Sequence, residues 1–232
     1  MKDIIAIIPA RGGSKRIPRK NIKDFFGKPV ISYPIMNALE SKIFTEVMVS
    51  TDDEEIASVA KNVGANVPFI RSAENSTDLS STVDVLLEVL FQYEKLGRYF
   101  EYGCCIYPST PLLKQARLVE GRNLLFSEAD TDVVIPVLRY SHPIQRALAI
   151  GKNQEITQLD PKMMTARTQD LQIAYHDSGQ FYFFRTESLR KYKTIWCPNA
   201  KGIELEESET QDIDTIEDWK LAELKFRLLQ NK

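Results

Sequence analysis

The feature that most restricts what this 232-residue chain can fold into is an alternation. Short β-branched or apolar runs take turns with stretches whose apolar residues recur at helical spacing. IIAII (4–8), EVMVST (46–51), VPFIRS (67–72), YGCCIY (102–107) and TDVVIPVLRY (131–140) read as strands. Between them, Ile56, Val59, Ala60 and Val63 mark one helix face with Gly64 as its stop, and Val83, Leu86, Leu87 and Leu90 mark a helix from about Thr82 to Lys95. Another helix runs through Arg117 to Phe126. ISYPIMNALES (31–41) has the same spacing at Ile31, Ile35 and Leu39, but Pro34 is compatible only with a helix that starts late or bends. This rhythm predicts an α/β fold, a mostly parallel sheet with helices on both faces, whose right-handed crossovers gather the loops after the strands on one edge.

From 139 to 197 the rhythm breaks into short polar and apolar pieces and an aromatic strand, which reads as an inserted lobe of hairpins and loops. GIELEES and DIDT then return the chain to the sheet, and TIEDWKLAELKFRLLQ closes it with Trp219, Ala222, Phe226 and Leu229 on one helix face. The whole of 1–232 is one domain, since 43% apolar content suffices for a single substantial core.

One loop stands apart. In IIPARGGSKRIPRKN (7–21) and its flanks there is no acidic residue between Ile4 and Lys23, while Arg11, Lys15, Arg16, Arg19, Lys20 and Lys23 are all cationic. Gly12, Gly13 and Ser14 allow a tight backbone bend with amides free for an anion. The loop follows a strand directly, at the edge where open α/β sheets bind ligands, so it suits a polyphosphate. It matches neither the P-loop nor the GxGxxG pattern, and the latter absence leaves a dinucleotide dehydrogenase remote. A net charge of −2 lacks the broad positive field of a nucleic-acid binder.

A second signal is QDIDTIED (211–218). In an extended segment Asp212 and Asp214 point to the same side, a seat for a divalent cation. Asp214 followed by Glu217 serves equally as a capping-box-like start to the last helix, whereas Asp212 lies too early to cap. Three cysteines, two of them adjacent, form no disulfide or zinc pattern. The N-terminal run resembles neither a signal peptide nor a membrane span, and a reducing cytoplasm is the expected location.

The loop IIPARGGSKRIPRKN closely resembles the signature of the sugar-acid cytidylyltransferases, which include the N-acylneuraminate synthetases and, more distantly, the KDO cytidylyltransferases. DIDT resembles that family's metal motif. SHPIQRAL and AYHDSGQFY resemble the pseudaminic acid branch more than the sialic acid one. The resemblance implies a Rossmann-like nucleotidyltransferase fold, with 139–197 as an acceptor-binding and dimerisation lobe of a homodimer. It implies nucleotide contacts from Arg11, Gly12, Gly13, Ser14, Lys15, Lys20 and Asn21, with Arg71, Ser80, Thr82 and Tyr107 on the ribose and cytosine side. The sialic acid enzymes generally have Gln where this chain has Tyr107, and a phenol cannot give an amide's paired contacts. Mg2+ on Asp212 and Asp214 is expected to act with Arg11 and Lys20 while CTP reacts with a nine-carbon sugar acid. For that acceptor the candidates are Gln145, Arg146, Arg167, Gln169, Tyr175, His176, Asp177, Ser178 and Gln180, polar groups interleaved with aromatics. Neither His142 nor His176 has the partner that a nucleophilic mechanism needs. The implied reaction is CMP transfer from CTP to a nonulosonic acid, pseudaminic acid first and N-acetylneuraminic or legionaminic acid next. A nucleotide-sugar-binding protein without catalysis is the rival from another class.

Overall fold

A computed structural model describes residues 2–230. Strand β1 (Ile4–Pro9) is followed by the basic loop and by a two-residue hairpin, β2 (Asp24–Phe25) and β3 (Lys28–Pro29). Next come α1 (Ser32–Ser41), β4 (Glu46–Ser50), α2 (Glu54–Val63), α3 (Thr82–Lys95), β5 (Tyr102–Ile106), α4 (Gln115–Ser127) and β6 (Val133–Arg139). A small hairpin, β7 (Leu148–Ile150) with β8 (Ile156–Gln158), then precedes β9 (Tyr175–Asp177), β10 (Phe181–Arg185), α5 (Thr186–Tyr192), β11 (Ala200–Glu204) and α6 (Ile216–Gln230).

The main sheet has the order β11-β6-β10-β5-β1-β4, with β9 added to β6. It is mostly parallel: β1 pairs β4 and β5 in parallel and β11 pairs β6 in parallel, while β10 runs antiparallel between β5 and β6. The aromatic strand at 181–185 therefore belongs to this sheet, and its reversed direction brings residues 177–180 to the edge where β1, β4 and β5 end. Every residue of β1 from Ile4 to Ile8 is buried. Ile4, Ala6 and Ile8 pack with α1, α2 and α4, and Ile5 and Ile7 with α3. Such two-sided burial requires helices on both faces.

Local chemistry sets the ends. Pro34 occupies the first turn of α1, where its missing N–H has no partner to lose. Asp53 caps α2, accepting from the amides of Glu55 and Ile56, and Gly64 closes that helix at φ 109°. Ser81 and Asp84 form a capping box on α3.

Three expectations need correction. VPFIRS forms no strand: just before it Asn66 makes an isolated bridge to Met48 of β4, and Pro68, its second residue, has no amide to extend the pairing. DIDT lies outside the sheet, in the segment between β11 and α6. The α6 cap is not Asp214 with Glu217. Thr215 and Asp218 share it, with the Asp218 amide donating to Thr215 Oγ1 at 3.2 Å and the Thr215 amide to Asp218 Oδ2 at 2.8 Å. Asp214 is thereby left to the site.

Candidate active site

A small apolar core joins two segments almost 200 positions apart. Ile17 from the basic loop and Ile213 from DIDT are both buried, packed with Phe25, Val30, Trp219 and Ala222. Burying each isoleucine contributes roughly 1.5–3 kcal/mol. Because Ile213 points inward, the carboxylates on either side of it turn toward the loop. The Lys20 ammonium donates to the Ile213 carbonyl at 2.5 Å, so the two segments are stitched by backbone contact as well as by packing.

The loop itself is held from beneath. The Gly12 amide donates to Asp52 Oδ1 at 2.9 Å and the Asn21 side-chain amide to the Arg11 carbonyl at 2.9 Å. Arg19, in a left-handed conformation at φ 55°, places its guanidinium on Asp53 and on Glu55, the latter at 2.5 Å. The Arg19 bond holds the Asp53 carboxyl down at a pKa of about 2, helped by the α2 amides it caps. Gly12 and Gly13 do not adopt positive φ. Glycine at 12 instead permits close approach, since a Cβ there would lie 2.6 Å from Asp53 Oδ2.

Above this floor opens a cleft of about 520 Å³. Arg11, Ser14, Lys15 and Lys20 line it from the loop, and Asp212 and Asp214 face them. Asp214 Oδ1 is 2.8 Å from Arg16 Nη2 and 3.7 Å from Lys20 Nζ. Burial lowers the Lys20 pKa against the pull of Asp214 and Asp212. Asp212 has no cation at ion-pair distance among the described residues, in contrast to Asp214. Its carboxylate opens on the cleft, yet the protein packed around it raises its pKa, and Asp214, Asp218 and Asp177 push the same way. Across the cleft, Asp78 bridges two of the loop cations, accepting from Arg11 Nη1 at 2.6 Å and also from Lys15.

Asp212 also borders a second cavity of about 420 Å³. Its walls carry Arg139 at the carboxyl end of β6, Lys225 from α6, and His176, Asp177 and Ser178. Lys225 donates to the Thr210 carbonyl at 2.9 Å, and burial lowers its pKa.

The remaining residues singled out from sequence are dispersed. Tyr107 lines the first cleft and meets Thr82 Oγ1 at 3.2 Å through its hydroxyl. Arg71 is buried, with its guanidinium donating to Ser50 Oγ at 3.0 Å and to the Ser50 carbonyl. Ser80 donates to the Glu74 carbonyl at 2.9 Å. Gln145 and Arg146 tie the lobe together through the Gln172 and Ala166 carbonyls. Arg167 and Gln169 are exposed, and Tyr175 donates to Glu204 at 3.0 Å. Gln180 is buried beside Tyr107, whose amide donates to the Gln180 carbonyl at 2.9 Å. Sequence reasoning did not single out Asp78, Arg139 or Lys225. The position of Arg139 at a strand's carboxyl end was a usable signal. Asp78 and Lys225 carry none.

A cationic loop at a strand end, carboxylates opposite and an adjoining polar cavity form a site able to bind a nucleotide polyphosphate beside a second, smaller substrate. A family model described as Cytidylyltransferase matches residues 5–223. The chain belongs to the cytidylyltransferases. A pseudaminic acid cytidylyltransferase of Campylobacter jejuni is 39% identical over 224 residues, covering 97% of this chain and 96% of the relative. A CMP-N,N'-diacetyllegionaminic acid synthase of Legionella pneumophila is 30% identical over 234 residues, covering 98% and 97%. Among solved structures, a CMP:2-keto-3-deoxy-manno-octonic acid synthetase complexed with CTP shares the fold with a TM-score of 0.72 at 19% identity, over the full length of both chains. As a cytidylyltransferase, this chain is a nucleotidyltransferase enzyme, and the loop cations and the carboxylates opposite them supply opposed charges at one cleft.

Proposed function

We propose that this enzyme transfers CMP from CTP to the anomeric hydroxyl of a nonulosonic acid, pseudaminic acid in the first instance, and releases pyrophosphate. The observation that carries the reading is that one carboxylate, Asp212, borders both cavities. In the first, Arg11, Lys15 and Lys20 hold the triphosphate and neutralise the charge that grows on departing pyrophosphate. In the second, Arg139 and Lys225 are the cations available to the acceptor carboxylate. The name of the Campylobacter relative supports pseudaminic acid over other acceptors.

The residues present fit Mg2+. Asp212 lacks an ion-pair partner among the described residues and sits among like charges, while Asp214 is shared with Arg16 and Lys20. Among the described residues no cluster of three or more His, Cys, Asp or Glu side chains is poised to hold a metal. An ion that takes one or two carboxylates and completes its shell from phosphate and water suits that donor set. When bound, Mg2+ would supply Lewis-acid stabilisation at the phosphate. Asp212 would hold it and orient the acceptor hydroxyl, and Lys20, fixed on the Ile213 carbonyl, keeps loop and carboxylates in register.

The enzyme acts as a homodimer in this reading, supported by the apolar side chains that the β7–β8 hairpin exposes, among them Ile150 at 73% and Ile156 at 65%. Its three cysteines, all free and buried, suit a reducing cytoplasm. The test is pyrophosphate release from CTP and Mg2+ with pseudaminic, legionaminic and N-acetylneuraminic acids in turn. Turnover fastest with pseudaminic acid supports the assignment. A different preferred acid moves it, and no metal-dependent release with any acid leaves a binding protein.

A further inference from the structure

Two buried polar side chains just before β10 have no partner in the protein. Gln180 is 1% exposed, and neither its Oε1 nor its Nε2 makes a hydrogen bond. Ser178 is 3% exposed and its hydroxyl is likewise unpaired. Folded chains seldom bury a whole carboxamide unsatisfied, because the desolvation of both its ends is then uncompensated.

The surroundings of this pair are otherwise saturated. The Gln180 backbone is fixed opposite Tyr107, one residue beyond the Phe181–Ile106 pairing of β10 with β5. The Tyr182 hydroxyl is committed to Asp177 Oδ2 at 2.6 Å, Asp177 Oδ1 to the Gly179 amide at 2.9 Å, and the Tyr107 hydroxyl to Thr82. The orphaned groups belong to the residues on either side of Gly179, in a segment that supplies wall residues to both cavities. Gly179 and Tyr107 line the nucleotide cleft, and Asp177 and Ser178 line the second cavity. Gly179, at φ 64°, lies against Asp212, with the nearest atom 3.6 Å from where its Cβ would be.

We infer that the Gln180 carboxamide, with the Ser178 hydroxyl two residues before it, is a specificity-determining contact for the acceptor, pairing with an acylamino group and a neighbouring hydroxyl of the sugar acid. A carboxamide offers a donor and an acceptor side by side, so it can give to an acyl carbonyl and take from an adjacent N–H or O–H. A site built around such a group rejects analogues that leave it unpaired far more strongly than an apolar pocket rejects a change in size. The inference rests on reading the second cavity as the acceptor site. It makes the unpaired amide a stability cost retained for recognition.

The test compares the wild type with Gln180→Met, which keeps the length of the side chain without its polar atoms, and with Ser178→Ala, which removes one oxygen. Thermal midpoint and the KM values for CTP and for the preferred sugar acid are measured on each. The expected result is a midpoint equal to or above wild type for both variants. The acceptor KM rises about tenfold or more for Gln180→Met and less for Ser178→Ala, with the CTP KM within twofold of wild type. A lowered midpoint with an unchanged acceptor KM would mean that structural water satisfies the amide, and it overturns the inference. Equal rises in both KM values, or failure of both variants to fold, overturn it as well. If the wild type turns over no sugar acid, the functional reading fails instead, so the two failures are distinguishable.

Discussion

Gly12→Ala tests whether the phosphate loop is held by close approach to the β4–α2 corner. The added Cβ would meet Asp53 Oδ2 at 2.6 Å, Asp53 Cβ at 3.0 Å and Asp53 Cγ at 3.2 Å, so one side must retreat by roughly 0.5–1 Å to reach ordinary contact. If Asp53 swings away, the α2 cap is lost at a cost of about 1 kcal/mol, and the grip on Arg19 loosens. If the loop moves, the Gly12–Asp52 bond is lost at a similar cost. Either route predicts destabilisation of about 1–3 kcal/mol. Gly13 is the internal comparison. Nothing lies within 4 Å of its would-be Cβ and its φ is not positive, so Gly13→Ala leaves stability unchanged or raises it by about 0.4–1 kcal/mol. Urea unfolding followed by circular dichroism reads both variants. Displacing Arg11 and Lys15 by as much as 1 Å also predicts a loss on the order of 10²-fold in kcat/KM for CTP in Gly12→Ala. Identical unfolding midpoints for the two variants would refute the reasoning.

Three further substitutions test the charges. Asp212→Asn reduces turnover on the order of 10²–10³-fold while CTP binding without metal survives, as calorimetry can show. Because burial and neighbouring carboxylates raise the Asp212 pKa, its ionised form costs stability, so the same variant melts higher than wild type at neutral pH. That difference vanishes in acid below the ordinary carboxylate value, where Asp212 is neutral folded or unfolded. Asp53 has the opposite sign. Its pKa is depressed to about 2, so its contribution is complete above the ordinary carboxylate value near 3.8 and is lost as pH falls through about 2. Asp53→Asn is therefore more destabilising at pH 7 than at pH 2 in paired unfolding curves. Asp78 competes with phosphate for Arg11 and Lys15, so Asp78→Asn lowers the KM for CTP, most clearly at low ionic strength. A raised KM would make Asp78 a nucleotide contact instead.

Much of this architecture was legible because strand and helix periods differ and β1 is apolar without interruption. The same pattern could not reveal that 181–185 inserts antiparallel between β5 and β6, since an aromatic strand carries no mark of its partners. VPFIRS shows the limit of propensity: β-favouring residues did not make a strand beside a proline at a sheet edge. In the site, the loop cations and the aspartates stood out as charge on a nearly neutral chain. What brings them together is Ile17 and Ile213, two apolar residues among charged ones whose shared burial no local pattern announces. Lys225 was hidden for a related reason. On α6 it reads as one more helix-surface lysine, and only packing turns it toward the second cavity.

The most direct measurement is a crystal structure of the enzyme with CTP and Mg2+. The expected result is the triphosphate between Arg11, Lys15 and Lys20, with the Asp78 pairs broken and Asp212 among the residues that hold the metal. A triphosphate bound away from the 10–21 loop, or a metal held without Asp212, would contradict it.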